Sequence, residues 1–124
     1  MSSRVVLVVE DDPIVRLTTQ KQLSALGYAS VTLSTGEEAV AADYSNFGLI
    51  FMDIGLPGID GAHAALLIRE RELREGRRRV PIVALTAHSD RGQCIGAGMD
   101  DFLQKPALLE DLRGVIVKYM PPPS

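Results

Sequence analysis

At 124 residues, 46% of them hydrophobic, the chain is the size of one domain and has enough apolar material for a single core. Its formal net charge of −3 gives no reason to expect direct binding to nucleic acid or to an anionic membrane. The single cysteine, Cys94, excludes an internal disulfide and fits a cytoplasmic setting. No signal-peptide or membrane-spanning pattern occurs, because the apolar run Val5–Val9 meets Glu10, Asp11 and Asp12 at once.

Strand-length apolar runs fall at Val5–Val9, Val31–Leu33, Leu49–Met52, Ile82–Leu85 and Phe102–Leu103, with helix-compatible segments between them. That alternation predicts a (βα)5 fold, a doubly wound five-stranded parallel sheet of flavodoxin-like α/β type. Asp12 caps the first helix, Pro13 takes its first position and Gly27 ends it. Within it Val15, Thr19, Leu23 and Leu26 recur at helical spacing and mark the stripe facing the sheet; Ile14 and Leu17 lie off it. Thr35 and Glu38 have capping-box spacing for a second helix to about Asp43, and Asp60-Gly61 opens a third that runs to Gly76. A short fourth helix is expected from Ser89 or Asp90, and a fifth over Leu108 to Met120. The mixed-charge stretch Arg69 to Glu75 and the basic run Arg77, Arg78, Arg79 read as a solvated helix end and loop. The domain then covers residues 1–120, with Pro121, Pro122 and Pro123 in a tail or the start of a linker.

In open sheets of this kind, ligands bind beyond the carboxyl ends of the strands. Strand one ends in Glu10, Asp11 and Asp12, strand three in Asp53, strand four in Thr86, and strand five is followed by Lys105-Pro106. Carboxylates crowded on one edge repel, so Glu10, Asp11 and Asp53 make sense together if they share a cation. The donors are all hard oxygens, which selects Mg²⁺ over zinc. Lys105 and Thr86 suit the equatorial oxygens of a phosphoryl group in transfer, and Asp53 is the natural nucleophile, forming an acyl phosphate. Two other readings share parts of this pattern. A flavodoxin-like FMN-binding module has the architecture, but the acids after Val9 would repel its phosphate; a metal-dependent phosphatase would want a second acid where Gly55 stands.

The segments LVVEDDP (7–13), MDIGLPGIDG (52–61), ALTAH (84–88) and GMDDFLQKP (98–106) resemble, as a set and over nearly the whole chain, the receiver domains of two-component response regulators and hybrid histidine kinases. The resemblance implies phosphorylation at Asp53, Mg²⁺ ligation by Asp11 and Asp53, a water-mediated role for Glu10 and a carbonyl ligand at Gly55. It implies phosphoryl contacts from Thr86 and Lys105, a cis Lys105-Pro106 peptide, and a switch in which Thr86 and Phe102 move together. The switch would act on the face of the fourth helix, fifth strand and fifth helix, through which a weak dimer is also allowed. The implied partner is a histidine kinase or histidine phosphotransfer protein, and the chain is expected to be a phosphoacceptor rather than an enzyme. Ile14 and Leu17, beside the phosphorylation edge, are candidates for docking that partner. Gly55 and His88 depart from commoner family choices and bear on the lifetime of the phosphate.

Overall fold

A computed structural model of the chain describes residues 5–42, 47–87 and 96–120. Five strands form one parallel sheet: β1 (Val6–Val9), β2 (Ser30–Leu33), β3 (Leu49–Asp53), β4 (Ile82–Thr86) and β5 (Asp101–Gln104), in the order β2-β1-β3-β4-β5. The helices are α1 (Pro13–Ala25), α2 (Gly36–Ala41), α3 (Gly61–Glu75) and α4 (Leu109–Tyr119). The strand expectations hold to within a residue at each end, and α4 is the helix expected fifth. The fourth expected helix, with His88 and Cys94, lies outside the described residues, as do Asp43 and the proline tail.

Side chains of the central strands alternate between two buried layers, as the period of two demands. Leu7, Val9, Ile50, Met52, Ile82 and Ala84 meet Ala39 of α2 and Ala64, Ala65 and Ile68 of α3. Val6, Val8, Leu49, Phe51, Val83 and Leu85 meet Leu23 of α1 and Leu112, Val115 and Ile116 of α4. Burial on both faces is why β1, β3 and β4 read as unbroken apolar runs, whereas the edge strands β2 and β5 are only half-buried.

The helix starts follow the sequence signals. Asp12 accepts from the Ile14 and Val15 amides at 2.9 and 3.4 Å, and Asp60 from the His63 amide at 2.8 Å. Thr35 accepts from the Glu38 amide at 3.1 Å, and the Glu38 carboxylate accepts in turn from the Thr35 hydroxyl at 3.0 Å and from the Ser34 amide and hydroxyl. Gly76 ends α3 at φ 63°, a left-handed turn that suits glycine. No helix among the described residues is long and apolar enough to cross a membrane.

The charged end of α3 departs from expectation. Arg77, Arg78 and Arg79 are exposed, but each turns back on the protein: Arg77 to Glu75, Arg78 to the Phe47 carbonyl, Arg79 to Asp100. Arg69 and Glu72 are largely withdrawn from solvent, their side chains being 11% and 5% exposed. Arg69 donates to Glu72 at 2.9 Å, to Asp100 at 2.8 Å and to the Val80 and Gly98 carbonyls. Glu72 accepts from the Val80 amide and Asp100 from the Ile82 amide, so the network fixes the point where β4 enters the sheet. The physical reason is position. Ala64, Ile68 and Glu72 recur every four residues on the buried stripe of α3, so Glu72 is buried where it can be paired. Arg69→Met should lower unfolding stability by about 3 kcal/mol, since it strips a partner from the buried Glu72 and the half-buried Asp100. Arg77→Ala, at an exposed pair, should leave the urea midpoint nearly unchanged.

Candidate functional site

The strand order reverses between β1 and β3, which lie side by side at the centre of the sheet. Such a switch point leaves a crevice beyond the strand ends. Register brings the polar residues to it. Val9 pairs with Met52, so Glu10 and Asp53 follow at one level; Asp53 pairs with Leu85, placing Thr86 one residue on; Thr86 pairs with Gln104, placing Lys105 one further. Asp53 and Thr86 are thus the last residues of strands that the core holds, and Glu10 and Lys105 the first residues past theirs.

Lys105 joins the edge together. Its Nζ lies 2.7 Å from Glu10 Oε1 and 2.9 Å from Asp53 Oδ1. The Gly55 amide donates to the same Asp53 oxygen at 3.1 Å, and the Asp12 amide to Glu10 Oε2 at 3.2 Å. Glu10, Asp53 and Thr86 are buried, and Asp11 is exposed at the rim. Burial raises the Glu10 carboxyl above its ordinary pKa, with repulsion from Asp53 adding to it and Lys105 opposing it. Burial pulls the Lys105 ammonium down, but its contacts with Glu10 and Asp53 outweigh that and hold it above its ordinary value.

Glu10, Asp11 and Asp53 each offer a carboxylate oxygen, all within 4.8 Å of one another. Among the described residues, the ammonium that pairs with this cluster is that of Lys105, so the carboxylates outnumber it. This all-oxygen set and its surplus of negative charge fit a hard divalent cation. Beside it, Asp53, Ile54, Gly55, Thr86, Ala87 and Lys105 line a cleft of about 320 Å³. A Cβ added at Gly55 would stand 3.9 Å from Asp53 Oδ1, an ordinary contact, so packing does not demand glycine there and the cleft stays open on that side.

Of the positions singled out from sequence, Glu10, Asp11, Asp53, Gly55, Thr86 and Lys105 come together at this edge. Phe102 is half-buried against the α2-α3 layer, paired with Ala84. The Lys105-Pro106 peptide is cis. On α1, Thr19 and Leu23 are buried, whereas Ile14 and Leu17 are 75% and 52% exposed. Three further residues support the site without having been singled out for it. A Cβ on Gly61 would collide with the Asp53 carbonyl, so the start of α3 packs against the backbone of the candidate nucleophile. Arg16 donates to the Glu10 carbonyl at 3.0 Å, and Gln22 to the Ala107 carbonyl at 2.9 Å. Only Gly61 had a sequence signal, as the glycine that opens a helix directly after the Asp53 loop.

Comparison with known proteins agrees with this geometry. The family model described as the response regulator receiver domain matches residues 6–117. Hybrid signal transduction histidine kinase F of Dictyostelium discoideum is 38% identical over 120 residues, which are 93% of this chain and 11% of that protein. The chain therefore spans about a tenth of that relative's length. Among solved structures, the co-crystal of the Saccharomyces cerevisiae histidine phosphotransfer protein Ypd1 with the receiver domain of Ssk1 matches with TM-score 0.88 and 32% identity, covering 95% of this chain and 89% of that one. The receiver domain of sensor histidine kinase PA1611 from Pseudomonas aeruginosa, with magnesium coordinated in its active-site cleft, matches with TM-score 0.82 and 35% identity, covering 94% and 97%. Neither the flavin-binding nor the phosphatase alternative finds support. With its acids, threonine and lysine at the ends of β1, β3, β4 and β5, the chain belongs to the response regulator receiver domains.

Proposed function

We propose that Asp53 accepts a phosphoryl group from a phosphohistidine of a histidine kinase or histidine phosphotransfer protein. The observation that carries this reading is the convergence of Asp53, two further carboxylates and Lys105 at one strand edge beside an open cleft. In the transfer the P–N bond to the donor imidazole breaks as a P–O bond to Asp53 forms. Lys105 and the Gly55 amide hold the Asp53 carboxylate in place, and Lys105 with Thr86 compensates charge on the equatorial phosphoryl oxygens. Mg²⁺ held by Asp11 and Asp53, with Glu10 acting through water and Gly55 through its carbonyl, would neutralise the acid surplus and compensate charge on the phosphoryl group. Thr86 then draws toward the phosphoryl group and Phe102 follows, altering the face built on β5 and α4, where a weak dimer could also form. In this reading the chain is a phosphoacceptor that assists its own phosphorylation and dephosphorylation. The greater length of its relative fits a cytoplasmic receiver carried in a hybrid histidine kinase.

The partner would dock on α1. Ile14 and Leu17 are exposed on the first turns of the helix that follows Asp11 and Asp12, and Ile14 also borders an apolar cleft of about 370 Å³ between α1 and the Pro106-Ala107 turn. Such a patch suits the apolar face of a histidine-bearing helix.

Incubation with Mg²⁺ and acetyl phosphate should add one base-labile phosphoryl group, detected by intact mass, and Asp53→Asn should abolish it. A mass shift that persists in the variant would move the nucleophile elsewhere, with Asp12 the next carboxylate to test. Mg²⁺ at about tenfold over its Kd should stabilise the fold by roughly 1.4 kcal/mol in thermal scans. Asp11→Ala should remove that response; an equal response in the variant would overturn the ligand assignment. The double variant Ile14→Ser, Leu17→Ser should keep its melting temperature within a few degrees and its reaction with acetyl phosphate, while transfer from the cognate phosphohistidine slows. Loss of several kcal/mol, the mark of truncated core residues, would instead make the patch part of the core.

A further inference from the structure

Two loops carry the charged groups of the site, and α1 holds both. The first follows β1: Arg16 binds the Glu10 carbonyl there. The second is the turn Lys105-Pro106-Ala107, which leads from β5 toward α4. Its start is tied to β4, where the Lys105 amide donates to the Thr86 carbonyl at 2.7 Å. Pro106 has no N–H to offer. Two residues past Lys105, the Ala107 carbonyl accepts from Gln22 Nε2 at 2.9 Å, across 85 residues of sequence. Gln22 itself stands on firm ground, because its neighbour Leu23 is fully buried and Thr19, one turn earlier, is nearly so.

The Lys105 ammonium must meet two oxygens on two different strands at once, at 2.7 and 2.9 Å. Hydrogen bonds of this kind weaken steeply with displacement, and misplacement of about 1 Å can cost a large part of a rate. A turn pinned at one end only would let the lysine stem swing. A turn pinned at both ends would not.

We propose that Gln22 is a positioning residue for phosphoryl transfer: by holding the Ala107 carbonyl to α1, it fixes the turn from which Lys105 reaches Asp53 and the transferred group. The proposal rests on the reading of Lys105 as the cation that meets the phosphoryl oxygens. Gln22 touches no reacting atom and acts through Lys105 alone. The side chain also borders the apolar cleft between α1 and the turn, so its loss changes little core packing.

The test is a double-mutant cycle on the 124-residue chain, with Mg²⁺ and acetyl phosphate, following the mass shift on Asp53 over time. Gln22→Leu should slow phosphorylation roughly fivefold, the worth of one positioning hydrogen bond, with Mg²⁺ affinity unchanged and the melting temperature within a few degrees. Gln22→Lys, which restores a donor of sufficient reach, should recover most of the rate. In a Lys105→Ala background, itself slow, Gln22→Leu should have no further effect. A wild-type rate in Gln22→Leu would overturn the proposal, and so would the same proportional loss with Lys105 absent, since that is the behaviour of a merely structural contact. Gln22→Met repeats the comparison if the leucine variant misfolds, and failure of both to fold would also make the contact structural. An unphosphorylated wild type would remove the reading of Asp53 and this proposal with it; that outcome is distinct from a phosphorylated wild type with an indifferent Gln22.

Discussion

Three carboxylates at one strand edge repel one another, and the organisation of this molecule follows from keeping them there. Glu10 and Asp53 are buried, where the repulsion is least screened, and each is paired with the same ammonium. The sheet supplies the force that holds them. Both acids sit one residue past Val9 and Met52, which are fully buried and paired in register, so neither can retreat without unpairing the core. The stability released by packing the two apolar layers is what makes an unfavourable charge arrangement affordable at the strand ends.

The opposite edge of the sheet shows what the same residue types do when nothing is asked of them chemically. Where β4 begins, Arg69 and Arg79 face Glu72 and Asp100, two cations against two acids. Both carboxylates of that set are also capped by backbone amides, Glu72 by Val80 and Asp100 by Ile82. Charge is balanced and the donors are arginines, whose forked geometry suits fixed, bidentate partners. At the candidate site Glu10, Asp11 and Asp53 outnumber the one ammonium paired with them, that of Lys105, a compact charge on a flexible stem. A balanced edge closes on itself. An unbalanced one has capacity for a further cation and for the anion that the cation and the lysine bring in.

Legibility from sequence followed the same division. The strands were readable because residues buried on both faces leave continuous apolar runs, and the site was readable because strand ends are where such sheets place their chemistry. The outward faces of Ile14 and Leu17 followed from helical period alone. Charged residues whose partners lie far off in sequence were not readable. Arg69 and Glu72 looked solvated because composition reports charge but not direction, although the spacing of Glu72 from Ile68 and Ala64 was a usable sign of burial. The Gln22 contact left no trace at all, since nothing in a glutamine on a helix indicates a carbonyl 85 residues away.

That contact belongs to a wider role for α1. Asp12 caps the helix directly after Asp11, Arg16 holds the Glu10 carbonyl, and Gln22 holds the turn behind Lys105. Glu10 and Lys105 come from opposite ends of the sequence and from strands separated by β3 and β4, yet their ion pair is among the shortest at the site. The sheet sets the height of each residue along its strand, but it cannot fix a loop once the chain has left the ladder. A helix packed across the face of β1, with side-chain hydrogen bonds to both loops, can. The outer face of that same helix carries Ile14 and Leu17. A partner docked there, as proposed, would therefore act on the element that also braces the loops carrying Glu10 and Lys105.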